Sequence, residues 1–312
     1  MSMRVLEPGL QTLLVDNGRL SSRALGVPVG GAADRWSWTL GNALLGNPPG
    51  TPTLEIALAG PALQAENDVG IIVFGAPFHI FTDRQLLKPN CCFTLRGGEV
   101  LRVQGCDRGM RAYLCVSGGF GAKEILGSRS ALGPLQAGQA LECASSSQRH
   151  RHLPESALSS IPASFPQTLR FLSGAQSSWF DADALSRQAF TVTPASNRMG
   201  IRLEGEPLNR PKREMISEPV CPGTVQVTNE GQCIVLGVDG QTIGGYPKIA
   251  QVISADLDFL GQLRPGDSVR FVSVTLDQAE DAYRQRAAQL QEWLVRIGIV
   301  LNCSGVWQSP SL

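Results

Sequence analysis

Three observations predict a mainly β protein with a few helices. Apolar runs are short and closed off by glycine or proline, one turn-then-strand pattern recurs three times, and only two stretches have helical periodicity. The runs Gly70-Ile-Ile-Val-Phe-Gly75, Arg111-Ala-Tyr-Leu-Cys-Val-Ser-Gly118 and Cys233-Ile-Val-Leu-Gly-Val238 have strand lengths. The recurring pattern is Leu-x-x-Gly-x-x-apolar-x-apolar. It appears as Leu95-Arg-Gly-Gly-Glu-Val-Leu-Arg-Val103, Leu135-Gln-Ala-Gly-Gln-Ala-Leu-Glu-Cys143 and Leu263-Arg-Pro-Gly-Asp-Ser-Val-Arg-Phe271. Its glycine can supply the positive φ of a tight turn, and the alternation that follows is a half-buried strand. In the third copy Pro265 and Gly266 take the two central positions of a type II turn. Turns that feed strands in this way argue for barrel or sandwich modules.

The first helix starts from Asp34 as N-cap and runs through Trp36, Leu40, Ala43 and Leu44 to Gly46, a natural C′ residue. The second starts from the capping box Thr275-Leu-Asp-Gln278 and continues with Ala279, Tyr283, Ala287, Leu290, Leu294 and Ile297. This C-terminal helix is expected to pack as a tail against a barrel or a neighbouring subunit.

A polar stretch, Ala144-Ser-Ser-Ser-Gln-Arg-His-Arg-His152, leads into proline- and serine-rich sequence up to Pro166. It reads as a linker over 151–165 that divides the chain into 1–150 and 166–312; a long surface loop within one domain is the other reading. With 312 residues, 43% of them hydrophobic, the chain can bury a full core. Its 27 basic and 27 acidic residues balance, which gives no electrostatic reason to expect nucleic acid or an anionic membrane as partner. The N-terminus lacks a basic segment followed by an apolar core, and no apolar run approaches the roughly 20 residues of a membrane span, so a cytoplasmic protein is expected. The eight cysteines form no Cys-x-x-Cys pair and no zinc spacing, so no metal site is expected. Reduced thiols are the simplest account, with Cys115 and Cys233 as small core hydrophobes.

Several devices are absent: a Walker A loop, a dinucleotide glycine fingerprint, a nucleophile elbow at Ser117, and a Met-Lys-Met biotin attachment site. Of three histidines, His150 and His152 sit by the linker, and His79 alone makes a histidine-centred triad improbable. Three segments carry the polar chemistry. In Gly26-Val-Pro-Val-Gly-Gly-Ala-Ala-Asp34, backbone N–H groups before a helix can grip a carboxylate or carbonyl; alternatively Asp34 caps the helix and the glycines turn the chain. In Ser196-Asn-Arg-Met-Gly-Ile-Arg-Leu-Glu-Gly205, Asn197 offers amide donors and an acceptor and Arg198 a fork for a carboxylate or phosphate; capping of their own loop is the alternative. Asp239-Gly-Gln-Thr-Ile-Gly-Gly-Tyr-Pro-Lys248 connects two strands and is the densest. Asp239, Gln241, Thr242, Tyr246 and Lys248 gather acid, amide, hydroxyl, phenol and cation within ten residues, while Gly244 and Gly245 let backbone approach a ligand.

Taken together these segments resemble the carboxyltransferase subdomain A/B family. Members include the C subunit of prokaryotic 5-oxoprolinase, the second allophanate-hydrolase-type subunit and a kinase-inhibitor antagonist. The likeness also runs through Pro8-Gly-Leu-Gln-Thr, Val15-Asp-Asn-Gly-Arg19, Leu54-Glu-Ile-Ala-Leu-Ala-Gly-Pro61, Arg111-Ala-Tyr-Leu-Cys-Val-Ser-Gly-Gly119, Pro222-Gly-Thr-Val-Gln-Val227, Gln241-Thr-Ile-Gly-Gly-Tyr-Pro-Lys-Ile-Ala250 and Ala255-Asp-Leu, nearly the whole chain in order. The resemblance implies tandem cyclophilin-like β-barrel subdomains, one on each side of the linker. It implies a heteromeric complex with a subdomain C/D companion and, in 5-oxoprolinase, a third subunit, opening the lactam of 5-oxo-L-proline to glutamate with ATP as co-substrate. A non-catalytic module antagonising a kinase inhibitor, and a biotin-dependent carboxyltransferase acting on a urea-like amide, are the alternatives. The substrates are small amides, which agrees with Tyr246, Lys248 and Gln241 as catalytic residues. Asn197, Arg198, Asp239, Thr242, Gly244, Gly245 and Asp34 would then bind substrate. Because the family takes Lys or Arg at the last position, Lys248 is expected to stabilise negative charge and not to move a proton. No nucleotide-cradling motif is present, so ATP is expected on a companion or at an interface.

The chain also departs from the family pattern. Gly31-Ala-Ala-Asp34 stands for Gly-Ala-Met-Asp, Thr242-Ile-Gly-Gly245 for Thr-Thr-Gly-Gly, and Ser173-Gly-Ala175 for Pro-Gly-Pro. After Leu126-Gly-Ser-Arg-Ser130 the usual glycine-rich loop is shortened to Ala131-Leu-Gly-Pro-Leu135.

Overall fold

In this computed structural model, residues 2–210, 213 and 215–303 are described. Strand exceeds helix in the chain, which divides into two compact units. The described parts of the first are 2–18, 34–161 and 288–303; those of the second lie within 19–33 and 162–287. The chain passes from first to second twice, between Gly18 and Arg19 and between Ile161 and Pro162, and returns each time.

In the first unit, a six-stranded sheet runs in the order Ala140–Glu142, Ser2–Glu7, Ala62–Ala65, Val100–Val103, Ile80–Thr82, Leu86–Leu87. A five-stranded sheet runs Gln11–Val15, Thr53–Ala57, Arg111–Val116, Val69–Gly75, Phe93–Leu95. Both contribute to one core that includes Met3, Leu63, Leu101, Leu54, Ile71 and Leu114. Val69–Gly75 and Arg111–Val116 are buried at every residue; Arg111 and Tyr113, the polar members, are both held by buried Glu55. Helix α1 (Arg35–Leu44) packs on these two strands. Gly41 permits the close approach, since a β-carbon there would lie 3.0 Å from Phe74 Cβ and 3.1 Å from Cys115 Sγ.

The three copies of the repeated turn share one geometry. Gly98, Gly138 and Gly266 have φ of 86°, 81° and 93°. In each copy the residue after the glycine also folds its side chain back onto an N–H three positions earlier. Arg96 donates to Glu99 Oε2 (2.7 Å), Gln136 to Gln139 Oε1 (3.2 Å) and Arg264 to Asp267 Oδ2 (2.9 Å). That clip explains why an acid or amide follows the glycine each time.

In the second unit seven strands close into a barrel. Its order is Gln167–Ser173, Lys248–Val252, Thr224–Val227, Cys233–Leu236, Gly200–Glu204, Ala189–Val192, Ser268–Ser273, with the last pairing parallel to the first. Phe171 and Phe190 meet Phe271 edge-on at 6.2 and 5.7 Å between centroids. A short helix, α2 (Leu257–Gln262), follows the barrel strand Lys248–Val252. Buried Asp256, just before it, takes Arg170 in a bidentate pair (2.6 and 3.1 Å) and also accepts the Arg170 N–H (2.8 Å).

Helix α3 (Leu276–Cys303) starts on the expected capping box: Thr275 N–H donates to Gln278 Oε1 (2.9 Å) and Gln278 N–H to Thr275 Oγ1 (3.3 Å). Its buried face differs from the expected one. Ala279, Ala282, Ile297 and Leu301 are buried, whereas Tyr283 is 58% exposed and Ala287 is exposed. Ala279 and Ala282 pack with Ile253 and Ala255, so the stripe steps from 279 to 282 and not to 283. No helix among the described residues is long and apolar enough to cross a membrane. Cys115 and Cys233 lie in the core, and burial pushes both thiols up to about 12.

Candidate functional site

The second unit brings most of the singled-out residues into two adjoining clusters, both built on the loop between strands Cys233–Leu236 and Lys248–Val252. At the base of the first, Gly237 N–H donates to Met199 O (2.9 Å) and Asp239 N–H to Arg198 O (3.1 Å). The two loops touch so closely that a β-carbon on Gly237 would sit 2.2 Å from Arg198 O. Arg198 is buried. Its Nε and Nη2 grip the two Asp239 oxygens at 2.6 and 2.9 Å, and Nη2 also donates to Gly31 O at 2.7 Å. Gly30 N–H donates to Val238 O (2.9 Å), so the glycine-rich segment is tied to the same loop by backbone and side chain. Asn197 turns its own hairpin: its Oδ1 accepts the Met199 N–H at 2.8 Å.

In the second cluster, Glu218–Pro219 pairs with Ile243–Gly244 as a two-stranded ribbon separate from the barrel sheet. Val220 N–H donates to Thr242 O (3.0 Å), which continues the ribbon past its end. Glu218 forms an ion pair with Lys248 Nζ and accepts from Gln176 Nε2 at 3.3 Å. Gln176 Oε1 takes the Lys248 N–H at 3.1 Å, and Gln176 N–H donates to Lys248 O at 3.0 Å. The Lys248 ammonium, then the Gln176 amide, hold the Glu218 carboxyl below its ordinary value. Gln241 and Gln226 converge on Gly244: a β-carbon there would meet Gln226 Nε2 at 2.4 Å and Gln241 Nε2 at 3.1 Å. Gly244 therefore makes room for protein amides, a role distinct from the backbone–ligand approach expected of it. Gly245 and Tyr246 are exposed, Tyr246 at the 36% level.

Asp34 belongs to a different network, in the first unit. It is fully buried, its Oδ1 accepts Ser37 N–H (3.0 Å), and its Oδ2 accepts the hydroxyls of Ser37 and Ser160 (2.7 Å each). Its own N–H donates to Tyr113 OH (2.7 Å), whose proton goes to Glu55 Oε2 (2.9 Å), and Glu55 pairs with Arg111 (3.1 Å). Burial, then the Glu55 and Asp34 carboxylates, drive the Tyr113 phenol far up and keep it neutral. This matches the capping reading of Asp34.

Glu218 and Gln176 carry no signal of this kind in the sequence. Glu218 lies in an irregular polar stretch and meets Lys248 only through the fold. Gln226 does leave a trace: a lone amide between two valines that are both fully buried.

Residues 25–273 match the family described as carboxyltransferase domain, subdomain A and B. The chain is 33% identical to the C subunit of 5-oxoprolinase from Haemophilus influenzae, over 92% of this chain and 96% of that one. It is 31% identical to the corresponding C subunit of the Escherichia coli 5-oxoprolinase, over 95% and 98%. Among solved structures, the Kluyveromyces lactis urea carboxylase superposes with a TM-score of 0.83 at 26% identity, covering 94% of this chain and 29% of that one. Other solved chains that it matches are also longer, and it spans 55% of one and 20% of another.

Proposed function

The chain belongs to the carboxyltransferase subdomain A and B family, and from that premise we propose that it is the corresponding subunit of a 5-oxoprolinase. The observation that carries this is the end-to-end match: two relatives named as the C subunit of 5-oxoprolinase are covered to 96% and 98% of their length. The complex would contain a subdomain C/D companion and a third subunit, and would open the lactam of 5-oxo-L-proline with ATP hydrolysis. Lys248, anchored by Glu218 and by Gln176 on its backbone, supplies the positive charge for an oxyanion developing on the lactam carbonyl. Gln241, whose amide reaches Gly244, and the exposed Tyr246 would supply further donors from the same loop. Arg198 acts one step back, by fixing Asp239 and the Gly31 carbonyl and so the shape of the loop.

The nucleotide is assigned to another subunit or an interface. The N-terminus of α1, where the glycine-rich segment leads, is occupied by the Asp34 carboxylate, which competes with a phosphate for the same N–H groups.

The test is omission and substitution in the assembled complex. ATP-dependent glutamate release from 5-oxoproline is expected to require this chain. Lys248→Met is expected to lower kcat by about 10²–10³-fold, the usual loss for one oxyanion contact. Normal turnover by Tyr246→Phe, Lys248→Met and Asn197→Ala would sink the site assignment. The urea carboxylase likeness favours a second reading, carboxyl transfer to a small amide. A biotinylated carrier in the purified complex, with urea-dependent bicarbonate consumption, would select it.

A further inference from the structure

Every residue of strand Thr224–Val227 is buried, and its side chains divide between two faces. Val225 and Val227 are fully buried in the barrel core, so Thr224 and Gln226 face outward, toward the ribbon of Glu218–Pro219 and Ile243–Gly244. A β-bulge shifts the register between Val225 and Gln226, and past it Gln226 pairs with Lys248. The polar groups around it are paired. Thr224 Oγ1 donates to Gln251 Oε1 (2.8 Å), Lys248 holds Glu218, and Gln176 bonds both Lys248 N–H and Glu218. Gln226 differs. It is 1% exposed, and its Nε2 has no hydrogen-bond partner among the described residues.

A buried amide donor without an acceptor destabilises the fold, and an aliphatic side chain of the same size would remove the penalty. The glycine at 244 sharpens the point. Its missing side chain is the space into which Gln226 Nε2 and Gln241 Nε2 both point, so this ribbon position serves the amides. Donors gathered beside a held cation, with one donor unused, are what a small carbonyl compound needs: hydrogen bonds to its oxygen and a charge nearby.

We infer that Gln226 is a substrate-reading residue, whose amide N–H donates to the carbonyl oxygen of a small amide or lactam seated between Lys248 and the 243–245 ribbon. The inference deepens the proposed function, on which it rests for the choice of substrate. It also requires the ribbon to part from the barrel when ligand enters, because the Nε2 is closed off as the structure stands. The ribbon is built for that: it has two register pairs of its own, Glu218 with Gly244 and Pro219 with Ile243, and is not a member of the barrel sheet.

The experiment uses the assembled complex with Gln226→Met, of similar size and without a donor, and Gln226→Glu. Steady-state kinetics with 5-oxoproline are paired with thermal shifts caused by 5-oxoproline, urea and acetamide. Gln226→Met is expected to raise KM for 5-oxoproline about ten- to a hundredfold, the scale of one lost buried donor, with a melting temperature equal to or above wild type. Gln226→Glu should lose the ligand-dependent shift as well. An unchanged KM together with a raised melting temperature would overturn the inference, leaving Gln226 a plain stability defect or the host of a resident water. The two readings fail separately. A wild-type complex inert to 5-oxoproline whose urea or acetamide shift disappears in Gln226→Met refutes the oxoprolinase reading and upholds Gln226. An active complex with an unaffected variant does the reverse, and a wild-type complex that shifts with none of the three amides overturns the inference.

Discussion

Replacing Arg198 with alanine separates a positioning role from a substrate clamp. The side chain is 5% exposed, and its hydrogen bonds include those at 2.6 and 2.9 Å to Asp239 and 2.7 Å to Gly31 O. Removing one member of a buried ion pair costs about 3–5 kcal/mol when the other is left dry. Here the Asp239 side chain is 36% exposed and rehydrates, which discounts the cost to roughly 2–3 kcal/mol. At about 2–4 °C per kcal/mol for folding units of roughly 150–250 residues, the melting temperature should fall by roughly 4–12 °C. Arg198→Lys keeps the charge and loses the fork, so it should recover only part of this. The assay is thermal denaturation of wild type, Arg198→Ala, Asp239→Ala and the double variant, with a coupling of about 1–3 kcal/mol expected across the cycle. A wild-type melting temperature for Arg198→Ala, with substrate binding abolished, would refute the reasoning and make Arg198 a direct ligand contact.

Two further outcomes follow, one from the same loop and one from the first unit. Gly237→Ala places a β-carbon 2.2 Å from Arg198 O, a backbone atom that cannot rotate away. The loop must separate, at a cost of about 1–3 kcal/mol or more, and a melting curve within about 2 °C of wild type would contradict it. Asp16 accepts Gly18 N–H (2.9 Å), Ser128 Oγ, Arg129 N–H and Ser130 Oγ (2.6 Å each). Burial alone would raise its carboxyl, but the two serine hydroxyls and then the backbone N–H groups outweigh it and set it below the ordinary value. Stability from this carboxylate is therefore complete above the unfolded aspartate pKa of about 3.9 and is lost as pH falls through the lower folded value. Asp16→Asn should be less stable than wild type at pH 7 by about 1–3 kcal/mol in urea unfolding, with the gap narrowing in acid. A gap that is constant or grows toward low pH would refute the assignment.

What could be read from the chain was local. Asp34 and the Thr275/Gln278 box mark their helix starts because caps act through residues three positions apart. The three Leu-x-x-Gly turns were legible for the same reason, since the glycine's positive φ and the clip after it lie within four residues. The face of α3 was not. Both 282 and 283 are one turn from 279, and only contact with Ile253 and Ala255 decides between them. The polar site was half visible. The residues from 239 to 248 declared themselves by density along one loop, whereas Glu218 and Gln176 reach Lys248 across 30 and 72 positions. Gln226 entered only as part of the motif Pro222-Gly-Thr-Val-Gln-Val227; its meaning depends on which partner it lacks. Arg198 is the instructive intermediate: its chemistry was apparent, and only the fold shows that guanidinium spent on Asp239 and Gly31.

The central claim is that this chain is a working part of a lactam-opening assembly, with Lys248 at the reacting carbonyl. The direct measurement is glutamate formed per ATP hydrolysed from 5-oxoproline by the reconstituted complex, with wild-type chain, with Lys248→Met and with the chain omitted. The account expects coupled turnover with wild type, a loss of about 10²–10³-fold in kcat for a folded Lys248→Met, and none without the chain. Undiminished turnover in the chain's absence would contradict it.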